Sequence, residues 1–519
     1  VKSLDNNFSF VIAGGGSAGW LTALYLKKNF PLSNVTLIAS SKIGILGAGE
    51  GTTPHFVQFL NEIDISVADI IKNASGTIKI GTKFTNWNKA PDYYLHSFSQ
   101  NKQLDLYSSF LNYSSTPLLV LDNIAVGKNT NDIDFYNLLS ECDKVPFFPS
   151  KERIDKNYDG VDHFEKLGNY GIHFNAQEFA IYLSKLGSER GIIHIDGEIQ
   201  EGKLDSNGNI TSIITNKGEI KCDFVFDCTG FKRFFIGNLY KSKWTSYKKY
   251  LTVDKAIPFF LPYKEKKILS HTESFAMKYG WVWKIAVQNR YGCGYVYDSS
   301  LISDELAAKE LSSFLGVDVE LGKVFNFEAG SFNQTWINNC ISVGLASGFI
   351  EPLEATNMWV MIVMLRKFMS HINGITHNNQ ETKKEFNEFV SDFNDSVMAF
   401  IYLHYFTDRN DTEFWKQFKP SSENIPYKMK SFLQHIKNDF PTEYYFKNEQ
   451  AFGLFSWLLT GAGIKLFSPE IAKEKMYSML QGIRDGSYFI HKDNHLKNIN
   501  LNTSHCIDHY NFIQYVRNN

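Results

Sequence analysis

The chain has 519 residues, 43% of them hydrophobic and 15% aromatic, with a formal net charge of -2. This is a globular composition with room for a large core and two or three packed modules. Its charge balance excludes the basic excess that a nucleic-acid or anionic-membrane partner calls for.

Six cysteines, Cys142, Cys222, Cys228, Cys293, Cys340 and Cys506, form no C-x-x-C pair, and no His cluster has ligand spacing. The expectation is a reduced, cytoplasmic chain with neither structural zinc nor disulfides. The N-terminus enters a strand directly, without the pattern of a secretory leader, and the longest apolar run, Met358 to Leu365, is too short to span a bilayer.

The first stretch with a chemical reading is Phe8 to Leu26. An apolar run, Phe10 to Ala13, leads into Gly14, Gly16 and Gly19 at G-x-G-x-x-G spacing, then into helical apolar spacing at Leu21, Leu24 and Tyr25. Strand, tight turn and helix in this order form a dinucleotide site: the glycines admit a turn, a pyrophosphate and close helix packing, and the helix N-terminus favours the phosphate charge. Val35 to Ala39 reads as the second strand. Where an acidic residue usually holds the ribose, the sequence has Ala39, Ser40 and Ser41. That lowers the NAD reading and leaves FAD, held partly by hydroxyls and backbone. Gly47 to Thr53 is a second Gly-rich loop before a helix Pro54 to Glu62, with proline at its first turn.

In Ile78 to Asn88, Lys83 lies between Gly81 and the aromatics Phe84 and Trp87, surroundings expected to desolvate an ammonium. Residues 89 to 165, broken by prolines, read as an irregular insertion, with His96 and Phe98 as candidate substrate-pocket residues. Asn175 and Glu178 make a capping box for a helix that Gly191 stops. Ile192 to Leu204, Ile210 to Asn216 and Glu219 to Asp227 read as strands joined by tight turns. The last leads to Gly230, which again permits close backbone approach. In Gly280 to Val287, Trp281, Trp283 and Ile285 share one strand face, as core or as the wall of a cavity. Glu351 and Glu354 flank Pro352 before an apolar helix Met358 to Met369, with Thr356 and Asn357 as capping candidates. From Lys383 onward the chain reads as mostly helical with aromatic clusters.

The loop GGGSAGW, the stretch KFTNW, the strand GWVWKI and the helix entry GFIEPLEAT, followed by His404-Tyr405, Arg409 and Phe414-Trp415, stand in the order and approximate spacing of the flavin-dependent halogenases of the tryptophan-halogenase type, which the chain resembles over most of its length. The resemblance implies an α/β (α+β) architecture: a Rossmann-like FAD-binding flavin monooxygenase fold in residues 1–385, with insertions at about 89–165 and 240–335, and a mostly helical substrate-side module in 386–519.

It also implies FAD, supplied as FADH2 by a transient flavin reductase, together with O2, a halide ion and a small aromatic substrate. Flavin contacts would come from Gly14, Gly16, Ser17, Ala18, Gly19, Ser40, Glu50, Ile199, Gly230, Leu345 and Met358. The halide would rest on the amides of Thr356 and Asn357, and Trp281, Trp283 and Ile285 would separate flavin from substrate. By analogy Lys83 carries the hypohalous acid as a haloamine or through a hydrogen bond, while Glu354 polarises the halogen and removes charge or a proton from the ring intermediate. Ala286, Ala355 and Asn357 stand where the family has proline, serine and glycine, so halide preference is open, with bromide and iodide the easier halides to oxidise. Two rival readings keep the fold: an FAD-dependent aromatic hydroxylase, which gives no role to Lys83 and Glu354 together, and a non-catalytic flavin-binding protein. Homo-oligomerisation is left open.

Overall fold

The computed structural model describes residues 8–42, 44, 49–88, 92–99, 115–149, 164–165, 169–319, 322–372, 379–419, 424–446, 451–481 and 487–519. Two compact units are each assembled from three separated segments: Val1–Gly76, Phe174–Lys248 and Glu328–Asn394 in the first, and Thr77–His173, Lys249–Phe327 and Asp395–Asn519 in the second. Residue 385 falls inside the 26-residue helix Gln380–Tyr405. Among the described residues no helix is long and apolar enough to cross a membrane.

The first unit is built on a six-stranded sheet. Strand Ser9–Ala13 pairs in parallel with Phe224–Asp227 on one side and Asn34–Ala39 on the other. Ile193–Asp196 and Cys340–Ser342 extend the parallel order outward, and the short Trp336–Ile337 closes one edge antiparallel. Buried on both faces, the central strand is an apolar run rather than an alternating one: Phe10, Val11, Ile12 and Ala13 are all buried. Helix Ser17–Asn29 follows the first strand. Trp20, at the end of the glycine motif, is a packing residue: its indole stands edge-on to His194 and takes the space that a side chain at Gly187 would fill. The second helix of this layer, Ala176–Glu189, begins as the capping box requires, Asn175 Oδ1 accepting from the amides of Gln177 and Glu178.

Two of the expected strands are each divided. Ile192 to Leu204 becomes Ile193–Asp196 and Ile199–Leu204, and Glu219 to Asp227 becomes Gly218–Lys221 and Phe224–Asp227. One half of each joins the parallel sheet, and the other forms a three-stranded meander with Ile210–Thr215. The breaks are fixed by hydrogen bonds: Gly197 N–H donates to Ala39 O, and the amide of Ser9 donates to Asp223 Oδ2. Ile210 and Ile213 of the meander pack with Val11, Ile38, Val225 and Phe235 in one core cluster, each such side chain contributing about 1.5–3 kcal/mol.

The second unit contains a seven-stranded sheet in the order Phe325–Asn326, Lys255–Pro262, Arg290–Tyr297, Gly280–Val287, Thr272–Ala276, Gly81–Thr85 and Tyr93–Ser97. Only the pairing of Gly81–Thr85 with Thr272–Ala276 is parallel. The stretch expected to be irregular contains the edge strand Tyr93–Ser97 and the helices Ser115–Ala125 and Phe135–Glu141, the latter capped by Asp134. Prolines interrupt the periodicity there without preventing short elements. Residues 100–114 and 150–163 of that stretch lie outside the described residues. Beyond residue 405 the unit is mostly helical, as expected from the sequence.

Asp227, at the end of its strand, is fully buried and accepts four hydrogen bonds: from the amide and hydroxyl of Thr229 and from the amides of Phe235 and Ile236. Burial raises its carboxyl while these donors oppose the rise. Asp227→Ala orphans four donors and is expected to cost at least about 3 kcal/mol. A urea unfolding midpoint equal to the wild type would show that the turn does not depend on it.

Candidate functional site

The parallel sheet of the first unit places four turns at one edge, beyond the carboxyl ends of adjacent strands, the usual place for a ligand in such a sheet. The central turn is Gly14 to Gly19. Gly14 has φ 119°, and a Cβ there would meet the carbonyl oxygen of Cys228 at 2.1 Å. At Gly19 a Cβ would stand 1.9 Å from Gly14 O, so this glycine lets the helix close onto the loop. Gly16 differs: no described atom lies within 4 Å of where its Cβ would be. It is also the N-cap of helix Ser17–Asn29, with no side-chain cap and no acidic residue in the first turn. Ser17 Oγ is buried and finds no hydrogen-bond partner among the described residues. An open approach to Gly16, free first-turn amides and an unsatisfied hydroxyl suit a diphosphate.

The flanking turns narrow the site. Gly230, φ 64°, opens the turn that Asp227 anchors, with no described atom within 4 Å of its Cβ position. It lies beside the turn Gly344–Ala346, which carries Leu345, and a Cβ at Gly344 would come within 2.9 Å of Ala18 Cβ. On the other side Ser40 Oγ accepts from the amide of Lys42. The neighbouring strand does end on an acidic residue. Asp196, opposite Ala39, accepts from the amide and hydroxyl of Ser41 at 2.8 Å each, which lowers its carboxyl. Only the strand order reveals it. Ile199 packs against the core cluster, and Met358 is buried in its helix.

Glu50, half-buried by its exposed area, is enclosed deeply enough that desolvation pushes its carboxyl up to about 7. His55 stacks on Trp359 at 4.4 Å and 9°, and desolvation first, then the Arg366 charge, brings its imidazole down to about 4. This stack ties helix Pro54–Glu62 to helix Thr356–Ser370.

The entry to that second helix departs from the expected capping. Ala355, not Thr356 or Asn357, is the N-cap, and no side chain caps the helix. Glu354 and Ala355 have φ 64° and 55°, a left-handed pair that non-glycine residues adopt at a cost. Glu354 is 2% exposed, and Thr356 Oγ1 is buried without a hydrogen-bond partner among the described residues.

In the second unit strand alternation separates residues that lie together in the sequence. Lys83 is opposite Glu273, and Glu273 is opposite Lys284, to which it is paired at 2.7 Å. This is the sheet face away from Trp281, Trp283 and Ile285. Phe84 is on the tryptophan side with Ser274 and stacks on Tyr94 and His404. The aromatics expected to enclose Lys83 therefore do not: its side chain is half-buried, with Nζ 4.1 Å from the centroid of the Tyr93 ring. The lysine that the fold encloses is Lys79, four residues earlier, 1% exposed with Nζ 5.2 Å from the Phe98 ring centroid. Phe98 is in turn edge-on to His96, which is 2% exposed and packs against Phe400, Phe452 and His404. A second lysine in the same short stretch is the signal available to the sequence. Only burial distinguishes the two.

Trp283 lies across Gly294, where a Cβ would stand 2.0 Å from the indole, and Trp281 is 1% exposed. Trp281 joins a cluster with Trp87, and Trp87 in turn contacts Tyr405 and Trp415. Arg409 braces that cluster, stacking on Trp415, pairing with Asp411 through two bonds and donating to Asn86 O. Arg409, Phe414 and Trp415 thus act in packing. A cavity of about 280 Å³ in this unit, lined by Tyr250, Thr252, Tyr402 and Phe418 among others, contains none of the expected site residues.

A Rossmann-like sheet with an open glycine loop defines a dinucleotide-binding α/β enzyme, and comparison with known proteins specifies which. The tryptophan halogenase family matches residues 9–477. Tryptophan 6-halogenase SttH of Streptomyces toxytricini is 31% identical over 433 residues, 79% of this chain and 80% of that protein. Tryptophan 7-halogenase RebH of Lentzea aerocolonigenes is 29% identical, covering 78% of each chain. The crystal structure of SttH superposes with a TM-score of 0.84 over 98% of this chain and 99% of that one, at 25% identity. The chain belongs to the tryptophan halogenase family and is a flavin-dependent halogenase.

Two outcomes test the nucleotide edge. Gly16→Val is expected to leave the melting temperature unchanged and abolish flavin binding by titration, whereas Gly19→Val destabilises the fold itself. Unaltered flavin affinity in Gly16→Val would remove the loop from the site. For Glu50, a folded-state value raised from 4.5 to about 7 means that stability falls as pH rises through this interval, the ionised form being disfavoured in the fold. Glu50→Gln is therefore expected to lose less stability than the wild type between the two values, by about 3 kcal/mol at most. Parallel stability–pH curves would contradict this.

Proposed function

We propose that the chain halogenates an electron-rich aromatic substrate, with Lys79 rather than Lys83 as the lysine that receives the oxidant and Glu354 as the catalytic carboxylate. Bound FAD, reduced by a separate flavin reductase, supplies hypohalous acid from O2 and halide. The observation that carries the choice of lysine is burial: Lys79 is 1% exposed and stands over Phe98, the residue that also touches His96. A lysine that must hold a reactive halogen gains from a dry setting beside the aromatic pocket, and Lys83, in a different sheet, is only half-buried.

The flavin contacts proposed are Gly14, Gly16, Ser17, Ala18, Gly19, Ser40, Glu50, Ile199, Gly230, Leu345 and Met358. Their support is the open approach to Gly16 and the unsatisfied Ser17 hydroxyl. The halide is assigned to the amides of Thr356 and Asn357, at the start of a 15-residue helix without a side-chain cap. Glu354, buried and held at positive φ, is placed to polarise the halogen and take the ring proton. Trp281, Trp283 and Ile285 share one sheet face, which supports assigning them the barrier role that the family resemblance implies. His96 and Phe98 belong to the arene pocket. The relatives are named for tryptophan, which makes tryptophan the first arene to test.

With FADH2 supplied by a reductase, bromide, and a panel of tryptophan, indole and phenol, Lys79→Ala is expected to bind FAD normally and lose product by about 100-fold or more. Lys83→Ala is expected to keep most of it. The reverse pattern would return the role to Lys83. Asn357→Gly is expected to change the ratio of chlorinated to brominated product in mixed halide with FAD affinity nearly unchanged. A constant ratio would place the anion elsewhere.

A further inference from the structure

Three buried histidines, His173, His271 and His509, surround the short strand Thr77–Lys79 and its partner Gly171–Phe174, and the reaction as described uses none of them. Their ring nitrogens differ in what they can do. His509 Nε2 accepts from the amide of Ile78 at 3.0 Å, so its Nδ1 carries the proton and donates to Ile268 O. A backbone N–H cannot turn away, and the one lone pair of His509 is permanently occupied. His271 has Glu273, Lys83, Lys284 and Lys267 as its charged neighbours and belongs to the electrostatics of the other lysine.

His173 is arranged differently. The antiparallel ladder sets Thr77 opposite His173 and Lys79 opposite Gly171, so Lys79 and His173 are diagonal neighbours on one face. The residue directly across from Lys79 has no side chain to intervene. Thr77 Oγ1 donates to Ala286 O at 2.6 Å, which leaves it only an acceptor toward His173 Nδ1 at 3.4 Å. The Nδ1 of His173 therefore carries the proton, and Nε2 accepts from Thr272 Oγ1 at 2.8 Å. That contact is a rotatable hydroxyl, which turns from donor to acceptor if Nε2 gains a proton. His173 is fully buried, and burial first, then the Lys79 charge, then His509 and His271 hold its imidazole well below the usual range.

We propose that His173 is the positioning residue that takes the proton Lys79 must lose, the two side chains sharing one positive charge through each halogen transfer. The proposal rests on the reading of Lys79 as the reactive lysine. An ammonium has no lone pair for the halogen, so one proton passes from Lys79 to His173. The amine nitrogen then attacks the halogen of hypohalous acid. The N–X bond forms, the O–X bond breaks, and the departing hydroxide takes a second amine proton as water. Transfer to the arene breaks N–X and forms C–X. The arene gives up an electron pair to the halogen, its ring proton is taken by Glu354 and relayed to the amine, and the proton on His173 goes back to Lys79.

The test uses the holoenzyme with FADH2 from a reductase, O2 and bromide but no arene, desalted after turnover and titrated for retained oxidising equivalents with 2-nitro-5-thiobenzoate across pH. Wild-type loading is expected to fall on the acid side, where Lys79 keeps its proton. His173→Gln keeps groups for both threonines but accepts no proton, and is expected to move half-loading up by about one pH unit or more with the alkaline plateau retained. Superposable profiles would overturn the proposal. If His173→Gln does not fold, NMR titration of histidine-labelled protein decides: Lys79→Met is expected to raise the titration of His173 by about one unit or more, and an unchanged titration overturns the pairing. Retained equivalents in Lys79→Ala would sink the parent reading instead. Their loss there, with unshifted His173→Gln, would sink only the role of His173.

Discussion

The nucleotide edge of this molecule depends on how tightly the turn after the central strand is pressed against its neighbour. Gly14 sits at positive φ against the carbonyl of Cys228, and Gly19 sits against Gly14. With the backbone fixed at that distance, the first turn of helix Ser17–Asn29 points its amides into open space beside Gly16. A larger residue at either contact would lift the helix and take the anion site with it. The same closeness explains why the adjacent turns are also held by rigid means: Asp227 accepts four bonds to shape one turn, and Gly344 has room for no side chain beside Ala18.

In the second unit the governing constraint is the two-residue alternation of strands. It sends Lys83 to a face of ion pairs, with Glu273 and Lys284, and Phe84 to a face of rings. The short strand Thr77–Lys79 is a separate element with its own ladder, which sets its lysine against Gly171 and beside Phe98. Two lysines four positions apart thus meet opposite environments, one half-open and polar, the other enclosed beside an aromatic ring. Desolvation restricts what an amine can do without a nearby proton acceptor, so the buried lysine is where chemistry is expected.

Much of this was legible in the residues. The glycine spacing, Pro54 at a helix start, the Asn175 capping box and the period-two tryptophans are local signals, and the structure has each element where they put it. What the sequence could not provide were facts of pairing. The divided strands at Gly197 and Asp223 depend on hydrogen bonds to Ala39 and Ser9, far away in the chain. Asp196 becomes an acidic strand end only when Ile193–Asp196 is known to lie beside Asn34–Ala39. Lys83 looks enclosed by Phe84 and Trp87 only while the alternation of faces is ignored. Ala355 holds the N-cap because Glu354 and Ala355 take left-handed backbone angles, which no propensity of Glu or Ala announces.

The central claim is that the halogen reaches the arene from Lys79. The most direct measurement is a crystal structure of the enzyme with FAD, bromide and bound tryptophan or indole. The account predicts the ring in contact with Phe98 and His96, with the carbon to be halogenated within about 4 Å of Lys79 Nζ. A ring seated instead against Lys83 and Tyr93, on the other face of the sheet, would contradict it.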